Sequence, residues 1–263
     1  MKGYMVGLWN EIKVEWILYF QNRTAVLFDF ASYVILYLFF VFMKTGSSLP
    51  AAYGTGEEYA SILLLFGYII WMISSRTLTC VSSEILYEAN KGLLFYKVTS
   101  TTPLGVLYLG KTIAIVGAVL IHVIPLGILS VLFFDMPAVS ATQMVKIVGI
   151  NVVVIAGMYG LGLILASFTM ANKRLSRISL LISSILLFTS NTLTYEPRLG
   201  KVLQYFPANY GIDFTRRVIA DGAYWSQSSL VMLAIAAALL AVGGATFALS
   251  MQRAKKAGNI LWY

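Results

Sequence analysis

The sequence predicts an all-α membrane protein: six transmembrane helices behind an N-terminal amphipathic helix. Three observations carry this. Of 263 residues, 59% are hydrophobic and only 11% charged, whereas a soluble domain carries about 25% charged residues to clothe its surface. The mean hydropathy is +0.81. Apolar runs long enough to cross a hydrocarbon core of roughly 30 Å, about 20 helical residues each, recur along the chain.

Residues 1–23 read as a cytoplasmic amphipathic interface helix. Met5, Trp9, Ile12, Trp16 and Tyr19 recur at steps of three and four, while Glu11, Lys13 and Glu15 point elsewhere. Such a stripe, with Trp at the headgroup level, suits a helix lying along a membrane surface before the chain turns in at Arg23. The polar residues also interrupt the apolar core that a secretory signal peptide needs. The spans are expected near 24–43, 59–81, 112–134, 145–170, 178–194 and 229–250. The fifth is short and broken up by Ser183, Ser184, Thr189 and Ser190. Residues 24–250 thus form one transmembrane domain, with a polar loop at 82–111, a second long connection at 195–228 and a tail at 251–263. The single cysteine, Cys80, allows no internal disulfide and suits a buried apolar position.

Orientation follows from Lys and Arg in the short loops. With the termini on one side, that side holds Lys2, Lys13, Arg23, Lys91, Lys97, Lys111, Lys173, Arg174, Arg177, Arg253, Lys255 and Lys256. The other side holds Lys44, Lys146, Arg198, Lys201, Arg216 and Arg217, mostly in the long 195–228 connection. Both termini are therefore expected in the cytoplasm of a multi-pass plasma-membrane protein. The net charge of +8 is accounted for by this topology and by anionic lipid, with no nucleic-acid partner.

The stretch TTPLGVLYLGKT, residues 101–112, matches the G-x-x-x-x-G-K-[ST] phosphate loop letter for letter. A phosphate loop needs a strand delivering a Gly-rich turn to a helix N-terminus, so that backbone N–H groups cradle the phosphates. Here the residues between the glycines are Val106, Leu107, Tyr108 and Leu109, and a membrane span follows. The acid that would complete such a site, Asp135, ends the same span, about 36 Å from Lys111 by helical rise. The chain is expected to hold no nucleotide, metal or other cofactor and to catalyse nothing itself.

The loop 82–111 has a helical beginning, with Ile85, Leu86, Ala89 and Leu93 on one side and Glu84, Glu88 and Lys91 on another. Gly92 permits a break, and Thr102-Pro103 a second. A short helix between such joints, held by two spans, is suited to receive a push and pass it on.

Glu88, then Gly92, Thr102-Pro103 and Gly110-Lys111, resembles the signature loop of type-2 ABC exporter permeases. The six spans and the helix before them fit that family, and YFPANYGIDFTRRVIADG resembles its Pro-led extracellular helices. The resemblance implies a transport subunit that pairs with a second permease copy or homologue. Separate cytoplasmic ATPase subunits, binding ATP and magnesium, would dock beneath. It assigns docking and coupling to Glu84, Glu88, Lys91, Gly92, Thr102, Pro103, Gly110 and Lys111. Substrate, an amphipathic drug, antibiotic peptide or lipid, would pass along the dimer interface.

Within the spans, Asp29, Tyr33 and Tyr37 share a face at steps of four, a candidate pathway or interface. Asp29 lies near enough to Arg23 to pair with it. Ser179, Ser183 and Ser190 fall on one side of the fifth span, where small polar residues commonly join helices. His122 is alone in the third span and suits an interhelical hydrogen bond, and Gly157, Gly160 and Gly162 suit close helix packing. A gradient-driven carrier or a membrane scaffold is the alternative, but a carrier would want paired ionisable groups at mid-membrane. A membrane-embedded enzyme would want clustered carboxylates or His at a span end.

Overall fold

The computed structural model describes residues 2–134, 136–171, 176–195, 203–222 and 227–256. Asp135, Lys173, Arg174, Arg198, Lys201 and the tail beyond Lys256 lie outside the described residues. The described chain is all helix and connection. Helix α1 (Lys2–Gln21) runs into α2 (Arg23–Phe42) across Asn22, whose side chain accepts a hydrogen bond from the Ala25 amide and caps α2. A 3-10 turn at Thr45–Ser48 and the short α3 (Leu49–Tyr53) lead to α4 (Ala60–Asn90). After α4 come the five-residue α5 (Leu94–Val98), α6 (Leu104–Phe133) and α7 (Ala141–Ala171). The last are α8 (Ser176–Thr189), α9 (Pro207–Asp221) and α10 (Gln227–Lys256).

Local sequence explains the boundaries. Ser140 and Gln143 form a reciprocal cap at the start of α7: the Ser140 amide donates to Gln143 Oε1 at 2.9 Å and the Gln143 amide to Ser140 Oγ at 3.3 Å. α9 opens on Pro207, whose fixed φ suits the first helical turn, and closes on Gly222 at φ 67°.

Among the described residues, five helices are long and apolar enough to cross a membrane: α2, α4 with the turn before it, α6, α7 and α10. The expected fifth span, α8, has only 14 residues, about 21 Å of helix. It stops where Asn191 takes a left-handed φ of 54°, the Ser190 hydroxyl donating to the Leu186 carbonyl and accepting from Thr192. α4 is also longer than expected: it continues without a break to Asn90 through the polar sequence from Glu84 onward.

α7 is the hub, packed on α10, α4, α9 and α8. Glycines set these approaches. Gly162 sits on the Thr77 and Leu78 carbonyls of α4, Gly157 against Pro207 and Ala236, and Gly160 against Leu239 and Gly243 of α10. At that last crossing the two backbones touch, which is how small residues join membrane helices. A Cβ on Gly243 would collide with the Gly160 carbonyl, whereas one on Gly244 meets open space. Gly243→Val is therefore expected to lower stability by about 1–3 kcal/mol, seen as a lower melting temperature and a broadened size-exclusion peak of the detergent-solubilised protein. Gly244→Val should behave as the parent, and equal behaviour of the two variants would refute the contact.

α1 runs alongside α6 in the same direction. Gly7 faces Thr102, the Leu8 carbonyl lies 2.7 Å from where a Gly110 Cβ would stand, Trp16 covers Gly117, and the Tyr19 hydroxyl meets His122 Nε2 at 3.0 Å. The stripe expected from sequence divides. Met5 and Trp9 are exposed, while Ile12, Trp16 and Tyr19 turn towards α6 together with Glu11 and Glu15. The outward face of α1 is the apolar one: Met5, Val6, Trp9, Ile17, Leu18 and Phe20.

Candidate functional site

The carboxylates of α1 turn inward because cations meet them there. Lys111 of α6 places its Nζ 2.6 Å from Glu15, 2.6 Å from Glu84 and 3.1 Å from Glu88. Lys97 of α5 places its Nζ 2.8 Å from Glu11 and 2.8 Å from the same Glu88 oxygen. The Tyr108 hydroxyl donates to the other Glu88 oxygen at 2.8 Å. Glu88 is 2% exposed and serves three donors. Four helices, α1, α4, α5 and α6, are thereby joined at one end of the bundle.

Burying charge is costly unless each group is paired and hydrogen-bonded, and these groups are. Around them lies an apolar seal of Ile85, Ala89, Leu94, Leu104, Leu107 and Tyr108. Glu84 and Glu88 fall on one helical face at i and i+4, as do Glu11 and Glu15, and Tyr108 and Lys111 at i and i+3. α1, α4 and α6 thus each offer two consecutive turns to the knot, and α5 adds Lys97.

This changes the roles read from sequence. Glu88 was expected to offer a carboxylate to a docking partner. It is buried and its charge is met inside the chain, as is that of Lys111. The phosphate-loop look-alike is the first turns of α6. Its glycine at 110 admits the Leu8 backbone, its lysine binds carboxylates, and the Thr112 hydroxyl donates back to the Tyr108 carbonyl. Gly92 does take the left-handed conformation, φ 71°, at the joint between α4 and α5, where a side chain would be strained. Pro103 closes the second joint as the N-cap of α6, and Thr102 packs on Gly7.

Beside the exposed polar Asn90, Lys91, Thr99, Ser100 and Thr101, the loop shows solvent an aromatic and apolar surface. Tyr87, Leu93, Phe95 and Tyr96 are 45–72% exposed and cluster about α5 with the exposed Lys91. From the other side Lys255 of α10 donates to the Val98 carbonyl at the end of α5. None of these aromatics was given a role from the sequence, and Glu11, Glu15, Lys97 and Tyr108 were read there only as polar-face, loop or phosphate-loop residues. The doubled i, i+4 acids on two separate helices were the readable signal.

The span residues assemble elsewhere. Asp29 meets Arg76 at 3.5 Å rather than Arg23, and Arg76 donates to the Tyr33 hydroxyl at 2.7 Å. The Tyr33 and Phe30 rings lie against His122. Asp29 and Arg76 remain about half exposed, whereas Tyr37 is buried against Tyr68. Ser179, Ser183 and Ser190 are all buried, and Ser183 bonds Ser75 and accepts from Trp71 Nε1 at 3.2 Å through its carbonyl. They join α8 to α4. The outer face of α8 is instead Leu180, Leu181, Ile185 and Phe188.

At the opposite end of the bundle, Arg216 of α9 is fully buried. It donates to the carbonyls of Leu63 at 3.0 Å, Asn191 at 2.5 Å and Thr192 at 2.7 Å, and lies over the Tyr53 ring. Burial pulls its pKa below the ordinary arginine value, against the opposing pull of Tyr53 and Asp213. Tyr53 is raised by burial and donates to Asp213 at 2.8 Å. Gly67 leaves the room that the guanidinium occupies. With this geometry in hand, comparison with known proteins adds no relative: no family model matches the chain, and no curated protein matches it.

Proposed function

We propose that the chain is the membrane-spanning subunit of an ATP-driven exporter, of the kind seen in type-2 ABC permeases, moving an amphipathic substrate outward. A separate cytoplasmic ATPase would bind the ATP and magnesium, and a second copy or homologue would complete the pathway. In this reading both termini and α5 face the cytoplasm of a multi-pass plasma-membrane protein, and α8 is its fifth, shortened crossing. The observation that carries it is the construction of α5. A five-residue helix with exposed aromatics hangs between two jointed ends, and its Lys97 is tied to Glu88 of α4 and Glu11 of α1. A load applied to Phe95 and Tyr96 reaches α1 and α4 through those ion pairs.

Buried aromatic anchors commonly carry about 2 kcal/mol or more of binding each. Phe95→Asp with Tyr96→Asp is therefore expected to abolish co-purification of the ATPase and substrate-stimulated ATP hydrolysis in the reconstituted complex, while the variant still inserts. Asn90→Asp, exposed on the same loop, serves as the control. An intact complex with both aromatics replaced would refute this docking site. Transport that proceeds without any ATPase, driven by an ion gradient, would refute the exporter reading itself.

A further inference from the structure

A cleft of about 960 Å³ opens between α6 and α7 and reaches inward to Leu65, Ile69 and Ile73 of α4. Ligand pockets run to about 300–1,000 Å³, so this one is large. We propose that it is a binding site for the acyl chain of a membrane lipid, entering sideways between α6 and α7. The inference rests on the helices crossing a membrane and is independent of any ATPase partner.

The lining decides the chemistry. Among the described residues, Asn151 is the one of the lining with a polar side chain. Its amide is spent on the Ile147 carbonyl at 2.7 Å and reaches Thr215 at 3.4 Å. Buried water needs two to four polar partners, and apolar cavities stay dry. An empty cleft would forfeit the dispersion contacts of its walls. The occupant is therefore apolar and uncharged, like the walls.

Size decides between protein and hydrocarbon. A membrane-crossing helix with side chains is a rigid cylinder about 10 Å wide. A flexible acyl chain is thin enough to enter. Its source is at the mouth, where Leu120, Ile124 and Ile128 of α6 and Val148 and Val152 of α7 are 48–65% exposed. Both helices are long and apolar enough to cross a membrane, so those rims face lipid tails. α6 and α7 barely touch along their length. Pro125 lies at the level of the cleft and removes the backbone donor to the Ile121 carbonyl, which leaves α6 free to stand off from α7.

Gly127 makes the test direct. It lines the cleft, and a Cβ built on it meets open space. Gly127→Phe should fill the site without displacing backbone. The probe is phosphatidylcholine carrying a diazirine on one acyl chain, in nanodiscs with the full-length protein. After irradiation, the labelled peptides are mapped by mass spectrometry. The parent should be labelled at the recessed Ile69 and Ile73 as well as at the outer face of α8. Gly127→Phe should reduce recessed labelling about tenfold, the ratio that 1.4 kcal/mol of lost binding gives, and leave α8 labelling unchanged. Ile124→Trp, at the exposed mouth, gives a second obstruction should Gly127→Phe fail to accumulate. Unlabelled recessed residues in the parent, or recessed labelling that neither variant reduces, would overturn the proposal. So would a disulfide between two copies through Ile128→Cys, since the cleft would then be closed by protein.

Discussion

Lys111→Met is expected to be the most damaging single substitution at the cytoplasm-proximal end of the proposed topology. It keeps the alkyl stem and removes the ammonium that Glu15, Glu84 and Glu88 share. Three carboxylates then lie together with Lys97 as the remaining cation of the knot. Removing one partner of a buried ion pair costs about 3–5 kcal/mol, because the other charge stays buried without compensation. At about 2–4 °C per kcal/mol for a chain of this size, the melting temperature of the purified protein should fall by roughly 6–20 °C. The sign can be separated from a packing effect. Adding Glu84→Gln to Lys111→Met removes one of the stranded charges and should recover part of the loss, whereas Glu84→Gln alone should destabilise. A Lys111→Met protein that melts with the parent would show that the knot contributes nothing to stability.

Arg216→Met should have the second largest effect, at the other end of the bundle. The guanidinium donates to three carbonyls on α4 and beyond α8, and bonds to a charged group are worth about 1.5–3 kcal/mol each. Methionine matches the stem and supplies no donor. α9 should then loosen first, since such other polar anchors as Tyr53 to Asp213 and Gln143 to the Val218 carbonyl are only part-buried. Hydrogen exchange of residues 207–221 reads this directly: protection should fall there while the Lys111 end is unchanged. Gly67→Ala reaches the same place by another route, because its methyl would occupy the position of the guanidinium Nη2. Unaltered protection of α9 in both variants would remove Arg216 from any fastening role.

Much of the architecture was legible because membrane solvation is a coarse filter. Twenty apolar residues in a row leave the backbone one economical conformation, so α2, α6, α7 and α10 fall close to the runs that forecast them. The serines at 183, 184 and 190 warned that α8 was weak as a span. The joints were legible too, at Gly92 and Pro103, because their backbone chemistry is local. What stayed hidden was pairing. Glu88 looked like a surface acid of an amphipathic loop. Its partners come from 20 residues on for Tyr108 and from α5 and α6 for the two lysines, and no periodicity on α4 reports them. Arg216 was counted with the solvated bases of a long loop. In the structure it is fully buried, and two of its three acceptors lie 24 and 25 residues away and the third 153. A charge in a sequence carries no mark of whether water or a carbonyl will meet it. The phosphate-loop pattern misled for a related reason: glycine, lysine and threonine each answer a different neighbour of α6, and together they spell a familiar word.

The knot has a consequence for the time course of biosynthesis. Its acids sit on α1 and α4 and its bases on α5 and α6, so a ribosome delivers all four carboxylates before either ammonium. At about 5–20 residues per second, Glu15 waits roughly 5–20 s for Lys111 to be made. Throughout that interval α1 has no place to rest its inward face, and α4 carries two acids at the end that must later be sealed. Arg216 follows more than a hundred residues afterwards. The molecule is therefore closed in sequence, first at the Lys111 end and then at the α9 end, and a nascent chain halted between the two would hold its first four long helices together while its far side stood open.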